Sequence, residues 1–329
     1  MTFLLSSRRA AAFYAPQHFR AAASFRHYAT RTTASSPSSS SGAAAQEIPT
    51  AFNNIPTVQL SFEIHHPPNP LSEAPRPIVF MHGLFGCKKN NRTISNYRIL
   101  ETNATLQDLR NHGDSPHAQR HDYLSLAADV YAFITHLQMD KPTIIGHSMG
   151  AKTAMTLALA APNAITDVIP VDNSPLDQAL GSDFGKYIQI MELIERSNVM
   201  TRSAADKILE PYEPSLPIRQ FLLQNLFRPT HDAPFKFRNP LGVLAKNLSH
   251  MGDFPFKDPM TTRFKKPALF VRGTKSTYVP DEVIPLIGDF FPLFRMVDIE
   301  AGHWVISENP AAFKDAVVAF LTREDSDSN

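Results

Sequence analysis

The sequence predicts an α/β fold in which a mostly parallel central sheet carries helices on both faces. Short, wholly apolar segments that fit buried strands alternate with longer segments whose apolar residues recur every three or four positions. One apolar segment, residues 143–145, leads straight into a G-x-S-x-G pentapeptide at 146–150 and then into a helix-compatible stretch. The alternation stops after Asp172 and resumes at Ala268, which indicates that a helical insertion interrupts the sheet-forming sequence.

Length and composition indicate a globular protein. The chain has 329 residues, of which 43% are hydrophobic and 19% charged, enough for one large domain or two small ones. A net charge of +1 gives no strong attraction to nucleic acid, so no nucleic-acid partner is expected. The single cysteine, Cys87, excludes a disulfide framework, and we expect no metal or cofactor. No apolar run reaches the roughly 18 residues of a transmembrane segment.

The first 46 residues have a composition of their own. They contain five arginines, no lysine and no acidic residue before Glu47, and they are rich in alanine and serine. This composition is typical of a mitochondrial transit peptide. We therefore expect residues 1–50 to be a transit peptide, cleaved after Tyr28, and a flexible linker, and the mature protein to reside in the mitochondrial matrix. The alternative is a disordered tail without a targeting role.

Residues 51–329 are expected to form the folded domain. Predicted strands cover 58–64 (an antiparallel edge strand), 78–81, 105–109, 143–145, 168–171, 268–271 and 295–299. Predicted helices begin near Arg92 and cover 122–138, 151–160, 280–290 and 309–321. The insertion, at about 177–262, shows helical patterns around 184–194, 221–226 and 241–248, and we expect it to form a cap over the sheet.

Ser148 is the predicted nucleophile. A G-x-S-x-G pentapeptide between a strand and a helix forms a nucleophile elbow, as in the α/β-hydrolases. Its glycines let strand and helix approach without a Cβ clash, and the strained turn holds the hydroxyl clear of the backbone. The alternative is a turn serine that caps the next helix.

His303 is the predicted base, because a serine hydroxyl needs a base within hydrogen-bond reach. It follows the last predicted strand, at the sheet edge where Ser148 should emerge. The alternative is a loop histidine with structural partners. His147, inside the pentapeptide, is expected to point away from Ser148.

Asp172 is predicted to be the carboxylate that orients His303. In α/β-hydrolases this acid usually follows the strand after the cap, but that loop holds Ser276 and no carboxylate before Asp281. Asp172 ends the preceding predicted strand at the same sheet edge, and the order serine, acid, histidine is preserved. Asp298 and Asp281 remain alternatives.

Two backbone amides are predicted to stabilise a developing oxyanion. The Met149 amide follows the nucleophile directly. Leu84 is expected to supply the second, since Gly83 lets its backbone approach the substrate carbonyl. The alternative for residues 82–83 is a simple turn at a strand end.

Four segments together resemble the subfamily of abhydrolase domain-containing protein 11, which includes bacterial YbfF-type esterases and mitochondrial ethanol acetyltransferases. They are HGLFGCKKNN, DLRNHGDSPH, GHSMGAKTAM and VDNSP, and the resemblance covers about residues 55–322. It implies an α/β-hydrolase fold with nucleophile, acid and base on Ser148, Asp172 and His303. The chain departs from the family by being about two residues short between 91 and 108, and by Cys87 where serine is usual.

The predicted function is that of a mitochondrial serine hydrolase, which cleaves carboxylic esters or thioesters of short to medium acyl chains through an acyl-enzyme. Its partner would be a small-molecule ester or acyl-CoA substrate. A first alternative is an alcohol O-acetyltransferase that makes ethyl acetate from acetyl-CoA and ethanol with the same catalytic groups. A second, of another class, is a metabolite- or partner-binding protein with incidental turnover, which the presence of all three triad residues disfavours.

Overall fold

The computed structural model of the protein describes residues 48–66, 76–95, 103–178, 181 and 183–322. The second of the chain's two units, Glu47–Asn329, contains all of them. The predicted transit peptide and its cleavage site lie outside the described residues. So do residues 96–102, within the segment that departs from the family in length.

Seven strands of the described chain form one sheet in the order β1-β3-β2-β4-β5-β8-β9. The edge strand β1 pairs antiparallel with β3, and all other pairs are parallel, which confirms the predicted fold class. A separate two-stranded ribbon pairs β6 with β7. The strands are β1 (Phe62–His65), β2 (Ile78–Met81), β3 (Ala104–Gln107), β4 (Thr143–His147), β5 (Val168–Val171), β6 (Leu226–Phe227), β7 (Lys236–Phe237), β8 (Ala268–Gly273) and β9 (Phe294–Ile299).

Helices cover both faces of this sheet. Apolar side chains of α2 and α3 belong to the core on one face, and those of α1 and α10 to the core on the other. Because β2, β4 and β5 are buried on both faces, they are wholly apolar or nearly so. The helices are α1 (Arg92–Ser95), α2 (Tyr123–His136), α3 (Met149–Ala160), α4 (Asp183–Arg196), α5 (Arg202–Leu209), α6 (Leu216–Leu223), α7 (Leu241–Asn247), α8 (Ile284–Phe290), α9 (Val305–Glu308) and α10 (Pro310–Leu321). No described helix is long and apolar enough to cross a bilayer.

The insertion between β5 and β8 holds α4 to α7, but it is not purely helical as predicted. The ribbon of β6 and β7 interrupts it, and α5 has no counterpart in the predicted patterns. Helix α5 has only eight residues and begins at the N-cap Thr201, whose hydroxyl accepts from the Ala204 N–H at 3.1 Å. Its short apolar stripe is too brief for periodicity to detect.

Lys152 holds the two ends of the insertion together. This buried side chain on α3 donates from Nζ to the carbonyls of Leu176 and Gly252, both at 2.8 Å, and of Asp253 at 3.0 Å. Leu176 precedes α4, and Gly252 and Asp253 follow α7. The helix that begins at the nucleophile therefore anchors both stems of the cap. Burial lowers the pKa of Lys152 to about 8.

Candidate active site

Ser148 lies in a strained turn between β4 and α3, with a φ of 55°. Both motif glycines are required by close backbone contacts. A β-carbon on Gly146 would lie 2.1 Å from the Gly150 carbonyl oxygen, and one on Gly150 would lie 2.6 Å from that of Met81. The elbow geometry therefore follows directly from the G-x-S-x-G sequence.

His303 contacts both of its predicted partners. The Ser148 hydroxyl lies 2.9 Å from Nε2 of His303, and Nδ1 of His303 lies 2.7 Å from Oδ2 of Asp172. Asp172 follows β5 and is fully buried, while His303 lies in the loop between β9 and α9. With Nδ1–H donating to the carboxylate, Nε2 is free to accept the serine proton, which is the arrangement that general-base activation requires.

Asp172 has hydrogen-bond donors on both carboxylate oxygens. Its Oδ1 accepts from the Gly273 N–H at 3.0 Å, and its Oδ2 also accepts from the Ser276 hydroxyl at 2.5 Å. Ser276 stands in the loop where α/β-hydrolases usually carry their acid, and here its hydroxyl donates to the carboxylate of Asp172. These donors hold the carboxylate in one orientation.

The two alternative acids are engaged elsewhere. Arg272 donates to Asp281 at 2.5 Å and to Asp298 at 2.7 Å, on the solvent side of β8 and β9. The hydrogen bond from Arg272 lowers the pKa of Asp298. Neither carboxylate is a hydrogen-bond partner of His303; among the described residues, Asp172 is the carboxylate that contacts it.

The two predicted oxyanion donors belong to two segments that meet at Ser148. Met149 is the first residue of α3, so its N–H has no acceptor inside the helix. Leu84 follows Gly83, and a β-carbon on Gly83 would lie 3.2 Å from the Cβ of Ser148. The loop that carries Leu84 therefore packs against the elbow, and the positive end of α3 faces the same space.

Two buried histidines fix this loop through backbone hydrogen bonds, a role that the sequence did not reveal. His82 donates from Nδ1 to the Gly83 carbonyl at 2.8 Å and accepts the Leu109 N–H at Nε2 at 3.0 Å. His112 accepts the Phe85 N–H at 3.1 Å. Burial lowers the pKa of both histidines, so each stays neutral and keeps an acceptor nitrogen.

His147 was predicted to point away from Ser148, but the structure shows that it supports the loop of the predicted base. Its Nε2 donates to the backbone carbonyl of His303 at 2.7 Å, and the two rings are 4.9 Å apart. Burial, followed by the proximity of His303, lowers the pKa of His147 to about 4. The loop after β9 crosses the end of β4, and no local sequence pattern indicates that crossing.

Two further aromatic residues complete the site. The Tyr278 ring stacks on the imidazole of His303 with centroids 3.9 Å apart and planes 18° apart. Trp304 packs edge-on against Phe221 of α6 at 4.4 Å, which joins the catalytic histidine loop to the cap. The position of Trp304 next to His303 was a usable sequence signal; Tyr278 had none.

A cavity of about 750 Å³ lies between the elbow and the cap. Its catalytic side is formed by His82, Gly83, His147 and Trp304, and α6 with its C-cap Gln224 forms the opposite wall. Most of the lining is apolar. A concave, mostly apolar space beside a candidate nucleophile is the usual form of a small-molecule site.

Comparisons with known proteins agree with this architecture. A family model described as the alpha/beta hydrolase fold matches residues 76–194. A probable alcohol acetyltransferase of Saccharomyces cerevisiae is 38% identical over 267 residues, which cover 76% of this chain and 78% of the relative. The sn-1-specific diacylglycerol lipase ABHD11 of Xenopus laevis is 37% identical over 253 residues, which cover 74% of this chain and 79% of that protein.

A solved structure, that of a marine microorganism esterase, is similar with a TM-score of 0.73 and 31% identity, and the match covers 80% of this chain and all of the esterase. Sequence similarity thus extends over about three quarters of the chain, and structural similarity over 80% of it. The chain belongs to the α/β-hydrolase family, in the subfamily that contains abhydrolase domain-containing protein 11 and the yeast alcohol acetyltransferases.

Proposed function

We propose that this protein is a serine hydrolase that cleaves carboxylic esters or thioesters of short to medium acyl chains through an acyl-enzyme. The observation that carries the proposal is the continuous hydrogen-bonded row from the Ser148 hydroxyl through His303 to Asp172. Such a row activates serine for acyl transfer on several unrelated folds. The esterase and lipase names of the similar proteins support the same chemistry.

The residues have distinct roles in this mechanism. Ser148 attacks the substrate carbonyl while His303 takes its proton at Nε2. The amides of Leu84 and Met149 donate to the oxyanion that develops; losing one such donor typically costs about 3 kcal/mol of transition-state stabilisation. His303 then protonates the leaving alcohol or thiol. A water molecule, deprotonated by His303, releases the acyl group and restores the serine.

The volume and the apolar lining of the cavity favour a substrate with a large apolar portion. Its volume of about 750 Å³ far exceeds what an acetyl group needs, and its wall on α6 includes Ile218 and Phe221. An acyl or alcohol portion of medium length would bury its apolar surface there, at about 25 cal/mol per Å² removed from water.

Acyl transfer to an alcohol is the second candidate. The yeast relative named a probable alcohol acetyltransferase favours it, at 38% identity. Transfer uses the same acyl-enzyme, with an alcohol such as ethanol replacing water when His303 removes the proton of the incoming hydroxyl. Hydrolysis and transfer therefore differ only in which acceptor reaches the acylated Ser148.

A partition experiment separates these functions. Purified protein beginning at Ala29 is supplied with a short-chain acyl ester or acetyl-CoA, with and without ethanol, and free acid and ethyl ester are measured separately. Acid alone, unaffected by ethanol, identifies a hydrolase; ethyl ester that rises with ethanol identifies a transferase. The Ser148→Ala variant is the matched control, and turnover equal to that of wild type would remove Ser148 from the mechanism. Ligand binding without either product would favour the binding-protein alternative.

We also propose that the protein resides in the mitochondrial matrix. The support is the composition of the first 46 residues, with five arginines and no acidic residue. A fusion of residues 1–46 to a fluorescent reporter is expected to enter mitochondria, and the same segment with its arginines replaced by glutamine is the control. A diffuse cytosolic signal from the unaltered segment would contradict the proposal.

A further inference from the structure

An amide pair joins the loop after β2 to the cap on the far side of the cavity. Asn90 donates from Nδ2 to Oε1 of Gln224 at 3.2 Å. The direction of this bond is fixed by a backbone group, because Oδ1 of Asn90 accepts the Cys87 N–H at 2.6 Å. Asn90 must therefore donate from Nδ2, and Gln224 must accept this hydrogen bond with Oε1.

This arrangement leaves the Gln224 nitrogen without an acceptor. Among the described residues, no hydrogen-bond partner of Nε2 of Gln224 is present, although the atom is buried. A buried donor without an acceptor destabilises the folded state, because it has lost its hydrogen bond to water. The side chain lines the cavity, so an oxygen atom of a bound molecule is the acceptor that can remove this cost.

Gln224 is also held close to the catalytic loop. The adjacent Asn225 donates from Nδ2 to the Phe85 carbonyl at 2.6 Å, one residue after Leu84. The C-terminal end of α6 is thereby fixed on the loop that carries an oxyanion donor. Gly83 of this loop and Gln224 line the same cavity, so one bound molecule can contact both.

The charges around the cavity determine which kind of oxygen fits. Its described lining includes no lysine or arginine. Glu308 is the one acidic side chain there, and its carboxylate already accepts the N–H groups of Gly302 at 2.7 Å and Trp304 at 3.3 Å. An anionic group would be desolvated without a cation, which is costly, whereas a neutral carbonyl needs only one donor.

We propose that Gln224 is a specificity residue, whose Nε2 donates to a second, neutral carbonyl in the body of the substrate. This inference rests on the proposed function, and it selects esters or thioesters with a further ester or amide carbonyl over plain alkyl esters. Two sources share that chemistry: a glyceride with a second ester, and a pantetheine thioester with its amides. Asn90 orients the glutamine.

The test compares paired substrates of equal length. One pair is a glycerol diester and a single alkyl ester; the other is an S-acyl pantetheine and an S-acyl alkyl thiol. Gln224→Glu keeps an oxygen for Asn90 but replaces the donor with an acceptor, and Gln224→Met removes both polar atoms. The ratio of kcat/KM within a pair is expected to fall roughly tenfold in both variants. Gln189→Met, which alters an exposed glutamine on α4, is the control.

The pair that shows the fall identifies the source of the carbonyl. An unchanged ratio in both pairs overturns the proposal, and so does an equal loss for both members of a pair, which a merely structural role would produce.

Binding can be measured even if the proposed function fails. Trp304 is the single tryptophan and lines the cavity, so its fluorescence reports occupancy without turnover. In the Ser148→Ala background, Gln224→Glu is expected to raise the Kd of the two-carbonyl molecule about tenfold. Absence of hydrolysis by the wild-type protein would refute the proposed esterase function. An unchanged Kd in the Gln224→Glu variant would refute the proposed role of Gln224.

Discussion

The hydrogen-bonded row of Ser148, His303 and Asp172 (the catalytic row) differs from the cavity wall on α6 in how its buried polar atoms are hydrogen-bonded. Asp172 receives hydrogen bonds from Gly273, Ser276 and His303. On the facing wall, Nε2 of Gln224 has no partner among the described residues. The difference teaches where each task lies. The sheet-edge loops fix the carboxylate of Asp172, while the wall on the cap holds the buried donor for which we propose a substrate oxygen as the partner.

The largest expected effect comes from breaking the catalytic row at its acid. Asp172→Asn keeps the size of the side chain but removes the charge that stabilises the imidazolium, so kcat should fall about 10⁴-fold, by analogy with serine-protease triads. Steady-state hydrolysis of a chromogenic ester measures it.

Asp298→Asn and Asp281→Asn are the matched controls, because Arg272 holds both carboxylates away from His303. A near-wild-type rate in Asp172→Asn would contradict the assignment. Adding Ser276→Asp to Asp172→Asn should recover part of the rate, since the Ser276 hydroxyl lies 2.5 Å from the same carboxylate oxygen.

Lys152 joins the helix that follows Ser148 to both stems of the cap, and replacing it should have the next largest effect. Lys152→Met removes three donors from the carbonyls of the cap stems while keeping the length of the side chain. We expect the free energy of unfolding to fall by about 3 kcal/mol. Urea denaturation measures it, with Lys186→Met on the exposed side of α4 as the control. Equal stability of the two variants would show that the stems hold without this lysine.

The buried histidines around the catalytic loop predict a loss of stability in acid. Burial lowers the pKa of His121 to about 3, whereas an unfolded histidine titrates near 6.5. Between these values the unfolded chain binds the proton and the native chain does not, so stability is complete above pH 6.5 and falls as the pH drops. The slope approaches 1.4 kcal/mol per pH unit for each such histidine.

Denaturation at pH 7 and pH 5 checks this prediction. His121→Gln should lose about 1.5–2 kcal/mol less than wild type over that interval. His231→Gln, which replaces an exposed histidine, should keep the full dependence. Parallel curves for wild type and His121→Gln would refute the contribution of His121.

Removing one hydrogen bond from the carboxylate of Asp172 should have the smallest effect. Ser276→Ala takes one hydrogen bond from Oδ2 of Asp172 and leaves those of Gly273 and His303, so kcat should fall about tenfold. Thr in place of Ser276 keeps the hydroxyl and should retain most of the rate. An unaltered kcat in Ser276→Ala would mean that the remaining donors suffice to fix Asp172.

The features that depend on near neighbours in the chain were predictable from sequence. Strands β2 and β5 have the predicted bounds, because a wholly apolar run of four residues is typical of a strand buried on both faces. The elbow follows from two glycines that the local backbone requires. Even the preference for Asp172 over the later acids came from the absence of a carboxylate in the loop that holds Ser276.

Only the tertiary structure decided which distant side chains meet. Ser148 and His303 are 155 residues apart in sequence, and Asn90 and Gln224 are 134 apart. The sequence could not show that Arg272 forms an ion pair with Asp298. Nor could it show that His147 donates to the His303 carbonyl, or that the Tyr278 ring stacks on the His303 imidazole. Local patterns specify strands and turns through contacts within a few residues, whereas these pairings depend on strand order and on the path of the cap across the sheet edge.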